Sequence, residues 1–473
     1  MNNLKEEKNI INEEDIVEKE ENLLNDNVSS LLSQDKISEV VELISEIHSS
    51  DSVKVLENLS TEERYKILVS LPKSFYVEAI EWFSDYLIQE LLDSRGIDFI
   101  VALIQENQDV DLTYFIVKDL DEKSKDQILD AVSSYKRKVT EKKFNYPKDS
   151  AGRLMQSSFV KVLDTWTVYQ CINYIKEFEK NLPHGKDDYF YDIFIVDDKG
   201  VALGGVSLSK LITTDENTNI MEIKNDSFRT IHTHIDQEEV ALIFRSKGFI
   251  SAGVVDNNGV LVGIISLDNV LDVVYQESQE DLLLMAGIQA GSSKKYKTIF
   301  YASQKRLKWL SFNFISALTI PFIVTAFSDT LGKHVILAAL IQFVVALGGN
   351  AGMQSLAITL RGITLKVINK SNIFKQIGKE LGIAFLNGII LGSAGIVWGS
   401  FWGSYDNSIA IGIIAFLAVF INVILGATFG TLYPIILKRL HIDPAIASSV
   451  CITTSTDVVG YFLVLLVATL ILT

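Results

Sequence analysis

An aspartate in the middle of an apolar stretch is the residue whose position most strongly suggests chemistry. Asp457 is the thirteenth residue of the run 445–473, and sixteen residues follow it. A lone carboxylate at mid-membrane depth costs several kcal/mol, so such a side chain normally faces a cavity or a partner. The alternative is a structural hydrogen-bond anchor between two helices. Asp457 is therefore the first candidate for an ion-binding residue.

A second group of candidates is the segment Gly348-Gly349-Asn350-Ala351-Gly352 within the apolar run 335–360. Its glycines allow close helix approach or local unwinding, and Asn350 offers a neutral oxygen ligand. Small-residue packing alone is the competing explanation. Asn387 and Asn422 are further amides in apolar runs, each suited to helix contact or to a pore. The apolar runs hold no series of Lys or Arg for an anion, whereas oxygen donors around one carboxylate suit a hard cation.

An acidic series precedes the first apolar run and could bind ions at a surface. Its members are Asp268, Asp272, Glu277, Glu280 and Asp281, and the last three share one face of a predicted helix. A solvated acidic face is the ordinary interpretation. A contact surface whose charges are titrated by a cation is the other.

Charge and apolar residues occupy different parts of the chain, which explains how a formal net charge of −16 coexists with 48% hydrophobic residues. Residues 1–299 hold 32 basic and 54 acidic residues, a balance of −22, and residues 300–473 hold 11 and 5, a balance of +6. A nucleic-acid binder is disfavoured because it needs a basic face, and so is a small soluble enzyme.

Five runs near or above the roughly 20 residues of a membrane helix follow, at 309–327, 335–360, 381–405, 409–437 and 445–473.

The loops between these runs predict an orientation. Basic residues cluster before the first run, between the second and third, and between the fourth and fifth: Lys294, Lys295, Lys297, Lys305, Arg306 and Lys308; Arg361, Lys366, Lys370, Lys375 and Lys379; Lys438 and Arg439. The positive-inside bias then places the N-terminal half in the cytoplasm and the C-terminus outside. The charged N-terminus has no signal-peptide core, and the distant Cys171 and Cys451 predict no disulfide.

The cytoplasmic half begins with a charged leader, 1–22, and continues with amphipathic helices to about residue 145. Two segments with the same cap-and-helix pattern, 59–68 and 120–129, lie 61 residues apart. That spacing predicts helical hairpins stacked as a short solenoid.

A clearer repeat follows, in which 193–208 recurs 59 residues later as 252–267. Each copy predicts a strand, a tight turn containing Asp197 or Asp256, a second strand and a helix. Paired cystathionine-β-synthase (CBS) modules resemble this pattern over about 154–275. That family often holds ribose with a Ser/Thr-x-x-Asp segment, but here Ser207 is followed by Lys210 and Ser266 by Asn269, which makes nucleotide binding doubtful.

The whole order of parts resembles the MgtE family of magnesium transporters and channels. The segments that carry the resemblance are 149–155, 348–355, 430–434, 442–445 and 453–457, and it covers nearly the whole chain after about residue 25. It implies a multidomain fold with a helical solenoid N-domain at 23–145, an α/β CBS pair at 146–275, a linker or plug helix at 276–298 and an all-α transmembrane domain of five spans at 299–473.

The resemblance also implies a plasma-membrane homodimer with Mg²⁺ as its substrate and regulator. The implied pore residues are Asp457, the Thr453 carbonyl, Asn350 beside Gly348 and Gly349, and Asn422. Mg²⁺ sheds water reluctantly, so carboxylates and carbonyls would bind it through its hydration shell. The implied regulatory residues, where cytoplasmic Mg²⁺ would close the pore, are Asp272, Glu277, Glu280, Asp281 and Asp443.

Four positions depart from the family pattern. Gln342 and Val450 stand where prolines are usual in spans two and five, Asn269 replaces an acid and Gly253 a proline. Loss of two span prolines could straighten helices that the family kinks. A channel for another divalent such as Co²⁺, and a non-conducting membrane Mg²⁺ sensor, therefore remain alternatives.

Enzymatic alternatives have no support in the sequence. An intramembrane metalloprotease needs a motif such as His-Glu-x-x-His, and the six histidines provide none. ATP-driven transport lacks the Gly-x-x-x-x-Gly-Lys-Ser/Thr loop.

Overall fold

The computed structural model describes residues 13–107, 109–180, 191–225, 228–288, 299–368, 371–402, 408–446 and 449–472. Residues 1–12 of the predicted leader and 289–298 of the predicted linker lie outside them. The chain divides into two compact units, one ending at Val274 and the other beginning at Tyr275. The finer domain boundaries stay predictions.

The first unit begins with a helical solenoid. Its helices are α1 (Glu13–Ser33), α2 (Ile37–Glu46), α3 (Ser49–Asn58), α4 (Thr61–Ser70), α5 (Lys73–Ala79), α6 (Asp85–Arg95), α7 (Ile97–Glu106), α8 (Asp111–Val117), α9 (Glu122–Ala131) and α10 (Ser134–Phe144). Helix α2 packs on α4, α4 on α6, α5 on α7 and α7 on α9, as in stacked hairpins. The side chains of Ser60 and Asp121 cap α4 and α9, 61 residues apart. The predicted helical N-domain is confirmed.

A buried arginine ties successive solenoid layers together by bonding carbonyls at a helix end. The Arg64 guanidinium donates to the carbonyl oxygens of Leu56 and Leu59, at 3.0 and 2.9 Å, and its Nε contacts the Glu90 carboxylate at 2.6 Å. Because the last carbonyls of a helix have no intrahelical donor, each such bond satisfies a group that would otherwise be orphaned.

Two CBS units follow, each with a three-stranded sheet. The elements are α11 (Ala151–Leu154), β1 (Lys161–Leu163), α12 (Val168–Lys180), β2 (Asp192–Val196), β3 (Ala202–Ser207) and α13 (Leu208–Ile212), then β4 (Thr230–His232), α14 (Gln237–Lys247), β5 (Ser251–Val255), β6 (Leu261–Ser266) and α15 (Leu267–Met285). In both sheets the first strand is parallel to the second and the second antiparallel to the third. The predicted CBS pair is confirmed.

The hairpin turns of the two units pair with each other. The Ala202 amide donates to the Gly259 carbonyl at 3.1 Å, and the Leu261 amide donates to the Gly200 carbonyl at 2.9 Å. Both glycines have a positive φ, 82° and 78°, which the turns require. Asp197 accepts the amides of Lys199 and Val201 within its own turn, in agreement with its predicted turn role.

The second unit contains the membrane helices. They are α16 (Ile299–Ala317), α17 (Thr319–Ala326), α18 (Ser328–Lys333), α19 (Ile336–Thr364), α20 (Ile373–Trp402), α21 (Ser408–Arg439) and α22 (Ser449–Leu472). Five segments are long and apolar enough to span a membrane: Trp309–Ala326, Ile336–Thr364, Ile373–Gly399, Ser408–Arg439 and Pro444–Leu472. The five predicted spans are confirmed by length and composition. Within the described residues, helix α19 runs without a break through Gln342.

The predicted start of the third span, residue 381, is wrong by eight residues. Helix α20 begins at Ile373, so Lys375 and Lys379 lie on it and not in a loop. Glu380 lies within the helix because its carboxylate is buried and accepts a hydrogen bond from Ser355 Oγ at 3.0 Å. A hydrogen-bonded partner on α19 allows a charged residue to occupy a position that the sequence pattern assigns to a loop.

Candidate functional site: two faces of one membrane helix

One face of α19 packs closely against α21 through glycines. A Cβ built on Gly426 would lie 2.2 Å from the Gly348 carbonyl oxygen, and one on Gly430 would lie 2.1 Å from the Gly352 carbonyl oxygen. No side chain fits at these two contacts, so the helix backbones touch directly. We call this surface the glycine contact, formed by Gly348, Gly352, Gly426 and Gly430.

Asn422 lies at the edge of the glycine contact. Its side chain is fully buried, its Nδ2 donates to the Val344 carbonyl oxygen at 3.0 Å, and its Oδ1 has no hydrogen-bond partner among the described residues. A Cβ built on Gly348 would lie 2.1 Å from that Nδ2. The structure therefore brings Asn422 and Gly348 together in a buried contact between helices. Their predicted role in the pore remains a prediction.

A different face of α19 meets α22. A Cβ built on Gly349 would lie 3.6 Å from Thr456 Oγ1 and 3.9 Å from Thr453 Cγ2, so the Gly349 backbone sits against this part of α22. Asp457 follows Thr456 directly and lies one helical turn after Thr453. Asn350 follows Gly349 and is exposed. Four predicted site residues, Asp457, Thr453, Gly349 and Asn350, thus occur at the same level of one helix pair.

The carboxylate of Asp457 is half-buried and takes part in no hydrogen bond or ion pair among the described residues. The alternative role predicted for Asp457, a hydrogen-bond anchor to a neighbouring helix, requires a bonded partner. No such partner occurs among the described residues. A half-buried carboxylate without a protein donor keeps its oxygens free for water or a cation.

Two side chains that the sequence analysis did not count among the site residues meet further along the same helices. Gln342 Nε2 donates to the Tyr461 hydroxyl oxygen at 3.2 Å. Gln342 is exposed and Tyr461 is partly buried. The available signal was spacing: Tyr461 follows Asp457 by four residues, and Gln342 precedes Gly349 by seven, so each shares a helix face with a candidate. We call Gln342, Asn350, Thr453, Asp457 and Tyr461 the polar seam.

Three of the predicted regulatory carboxylates, Glu280, Asp281 and Asp443, interact electrostatically where α15 meets the turn between α21 and α22. Burial, then the charge of Asp443, then that of Glu280 raise the pKa of Asp281 from 3.8 to about 6. Asp443 lies in the turn between α21 and α22 and is exposed, and its Oδ1 accepts the Ala445 amide at 2.8 Å. The contact rests on a small apolar core of Leu284, Leu360 and Ala445. A cation that neutralised this cluster would stabilise the contact.

The other two predicted regulatory residues lie elsewhere on α15. Asp272 belongs to the first unit, where burial and then the neighbouring Asp268 raise its pKa. Glu277 lies between Asp272 and Asp281 along α15. The described residues contain no group of three or more His, Cys, Asp or Glu side chains able to hold a metal ion directly.

Ser207 and Ser266 occupy the first position of the Ser/Thr-x-x-Asp segment, and both side chains form local hydrogen bonds. Ser207 Oγ accepts the Lys210 amide at 3.4 Å and caps α13. Ser266 Oγ donates to Asn269 Oδ1 at 2.7 Å. Asn269, which stands where an acid is usual, is therefore a partner of the serine that precedes it.

Fold and site together define a multi-pass membrane protein whose last span carries a carboxylate and whose spans follow a helical domain and a CBS pair. Residues 341–467 match the MgtE family, described as a divalent cation transporter, residues 47–149 match the MgtE intracellular N domain, and residues 220–276 match the CBS domain. The chain belongs to the MgtE family.

Two curated relatives are similar over most of their length. The magnesium transporter MgtE of Thermus thermophilus is 28% identical over 450 residues, covering 91% of this chain and 94% of that protein. The magnesium transporter MgtE of Bacillus subtilis is 29% identical over 346 residues, covering 72% and 74%. Among solved structures, the cytosolic domain of the Mg²⁺ channel MgtE in complex with ATP is 29% identical, with a TM-score of 0.46 over 53% of this chain and 99% of that one.

Proposed function

We propose that the chain is a passive Mg²⁺ transporter of the plasma membrane, acting as a homodimer with an ion path along the polar seam. The observation that carries the proposal is the half-buried Asp457 carboxylate, which has no protein partner among the described residues and lies level with Gly349 and Thr453. An intramembrane carboxylate that faces neither a donor nor a cation of its own protein is suited to a passing cation.

The membrane potential alone can drive Mg²⁺ into the cell. A membrane potential contributes about 2.3 kcal/mol per charge per 100 mV, so a divalent cation gains about twice that on entering a negatively charged interior. Orientation follows from the basic residues at the ends of α19 and α21, Arg361, Lys438 and Arg439, which favour a cytoplasmic N-terminus and an external C-terminus.

The glycine contact supports the path without lining it. Gly348 and Asn422 are buried between α19 and α21, and we assign them to holding α19 at the rotation that directs Asn350 and Gly349 toward the other side. This reassignment concerns two of the six predicted pore residues.

Closure by cytoplasmic Mg²⁺ would act through the acidic contact of Asp281, Glu280 and Asp443. Without a counter-ion these carboxylates repel one another, and a hydrated divalent cation between them would hold α15 against the turn before α22. Because Mg²⁺ binds tighter where the carboxylates converge, raising its cytoplasmic concentration shifts the population to the closed state. Asp272 and Glu277 would contribute at separate places on α15.

The deciding experiment is Mg²⁺ uptake into proteoliposomes that contain the purified protein. We expect wild-type uptake, a loss of more than tenfold in Asp457→Asn, and no loss in the matched control Asp329→Asn, whose exposed carboxylate lies on α18 outside the seam. Uptake should fall as internal Mg²⁺ rises, and Asp281→Asn should weaken that suppression.

Absence of flux through folded wild-type protein at every internal Mg²⁺ concentration would remove the transport proposal and leave a membrane Mg²⁺ sensor. Competition by Co²⁺ in the same assay measures the preference among divalent ions. Light scattering of the purified protein tests the homodimer.

A further inference from the structure

The hydrogen bond between Gln342 and Tyr461 joins two membrane helices at a surface that the protomer leaves open. Its length is 3.2 Å, and the amide is exposed. Two other polar side chains in the membrane half behave differently: Asn422 and Ser355 are buried and bond to a neighbouring helix. An amide without hydration is costly in a bilayer, so we expect the exposed Gln342 side chain to face water.

The pair lies in line with the candidate ion-binding carboxylate. Tyr461 is one turn beyond Asp457 on α22, about 6 Å along the helix axis. Because α19 and α22 run in opposite directions, Gln342, near the start of α19, meets α22 on the side of Asp457 toward the C-terminus. That is the external side in the orientation proposed above.

The chemistry of the pair fits a hydrated cation. With Nε2 given to Tyr461, the amide still has an acceptor oxygen, and the phenol keeps its own O–H and a lone pair. None of these groups carries a charge, so they can accept from or donate to water around an ion but cannot strip it. Mg²⁺ keeps several waters in protein sites, which makes such neutral contacts suitable for it.

We propose that Gln342 and Tyr461 form an outer station of the ion path, which binds a fully hydrated divalent cation before it reaches Asp457. This inference rests on the proposed transport function and adds a second, neutral binding position. The bond between the two side chains fixes their spacing, so the station is set before the ion arrives and loses little entropy on binding.

The test is the dependence of uptake on external Mg²⁺ in proteoliposomes, for Tyr461→Phe and Gln342→Leu. Each change removes hydrogen-bonding groups and keeps most of the side-chain volume. We expect the half-saturating external Mg²⁺ concentration to rise about three- to tenfold, the factor expected for one lost hydrogen bond, with the maximal rate nearly unchanged. The half-saturating concentration of the double variant should be close to that of each single variant, because both side chains act on one station.

A matched control separates ion binding from helix attachment. Thr330 Oγ1 and Thr469 Oγ1 lie 2.9 Å apart and link α18 to α22 away from the seam. Thr469→Val should lower the melting temperature as much as Tyr461→Phe does, without moving the half-saturating concentration.

Two failures are distinguishable. If wild-type protein carries no Mg²⁺, or Asp457→Asn carries as much as wild type, the transport path itself is refuted. If wild type conducts and needs Asp457, but Tyr461→Phe and Gln342→Leu change only thermal stability, the pair is a structural link and the outer station is overturned.

Discussion

Two faces of helix α19 use the same kinds of residue for opposite purposes. Toward α21, Gly348 and Gly352 bring backbones into direct contact and Asn422 is sealed between the helices. Toward α22, a Cβ on Gly349 would meet Thr456 at the ordinary van der Waals distance of 3.6 Å, and beside it Asn350 is exposed and Asp457 half-buried. Small and amide residues therefore do not indicate a pore by themselves. The rotation of the helix decides which of them a cation can reach.

The largest effect should come from adding one methyl group to the glycine contact. Gly426→Ala places a Cβ 2.2 Å from the Gly348 carbonyl oxygen, and backbone atoms cannot move aside as a flexible side chain can. We expect loss of folded protein or a fall in melting temperature of at least about 10 °C, measured by gel filtration after heating. Gly382→Ala on α20 has no atom within 4 Å of its Cβ and should leave the melting temperature unchanged or raise it. Equal behaviour of the two variants would contradict the close contact.

A smaller loss should follow Asn422→Leu, which tests whether this amide belongs to the buried face. The variant removes the bond to the Val344 carbonyl, so we expect destabilisation by about 1–3 kcal/mol. Mg²⁺ uptake per folded molecule and its competition by Co²⁺ should stay at wild-type values. A changed competition would return Asn422 to the ion path, as the sequence predicts.

The acidic contact around Asp281 should show a pH dependence that the glycine contact lacks. The pKa of Asp281 is raised from 3.8 to about 6 when α15 is docked. Protonation therefore favours docking: this stabilisation is complete below pH 3.8 and is lost as the pH rises through about 6. Without Mg²⁺, hydrogen exchange of residues 280–288 should be slower at pH 5 than at pH 7.5.

Asp281→Asn should remove most of that pH difference. In this variant α15 should dock equally at pH 5 and at pH 7.5. Added Mg²⁺ should slow exchange at pH 7.5 in wild type and act less in the variant. A pH difference of the same size in Asp281→Asn would assign the titration to another group.

The smallest effect should come from Glu380→Gln. The change keeps the side chain's shape and its bond from Ser355 Oγ, while the amide nitrogen replaces one carboxylate oxygen near Gln376. We expect a change in stability of about 1 kcal/mol or less and unaltered uptake, measured by thermal melting and flux. A loss of flux with unchanged stability would place Glu380 on the ion path and show that buried contacts also carry ions.

Long periodic features were predictable from the sequence, because they repeat local chemistry. The 61-residue spacing of Ser60 and Asp121 and the 59-residue spacing of the hairpins each correspond to the same cap or turn in the structure. The third span was misplaced because Glu380 is charged, and its partner Ser355 lies 25 residues away on another helix.

The candidate site was predictable in part. Asp457 stands out as a lone carboxylate in an apolar run. Gly348, Gly349 and Asn350 are successive residues about 100° apart around a helix, and the sequence does not contain the helix's rotation. Gln342 was interpreted as the loss of a proline, and its bond to Tyr461, 119 residues later, depends on how α19 and α22 pack.

The reciprocal hydrogen bonds between the two hairpin turns of the CBS pair bear on how this part of the chain folds. Each turn supplies one amide and one carbonyl to the other, so neither copy completes its own backbone pairing. A single copy, cut out and expressed alone, would expose these groups and lose the contact of Val201 with Val260. We therefore expect the two copies to depend on each other for stability and to unfold in one cooperative transition.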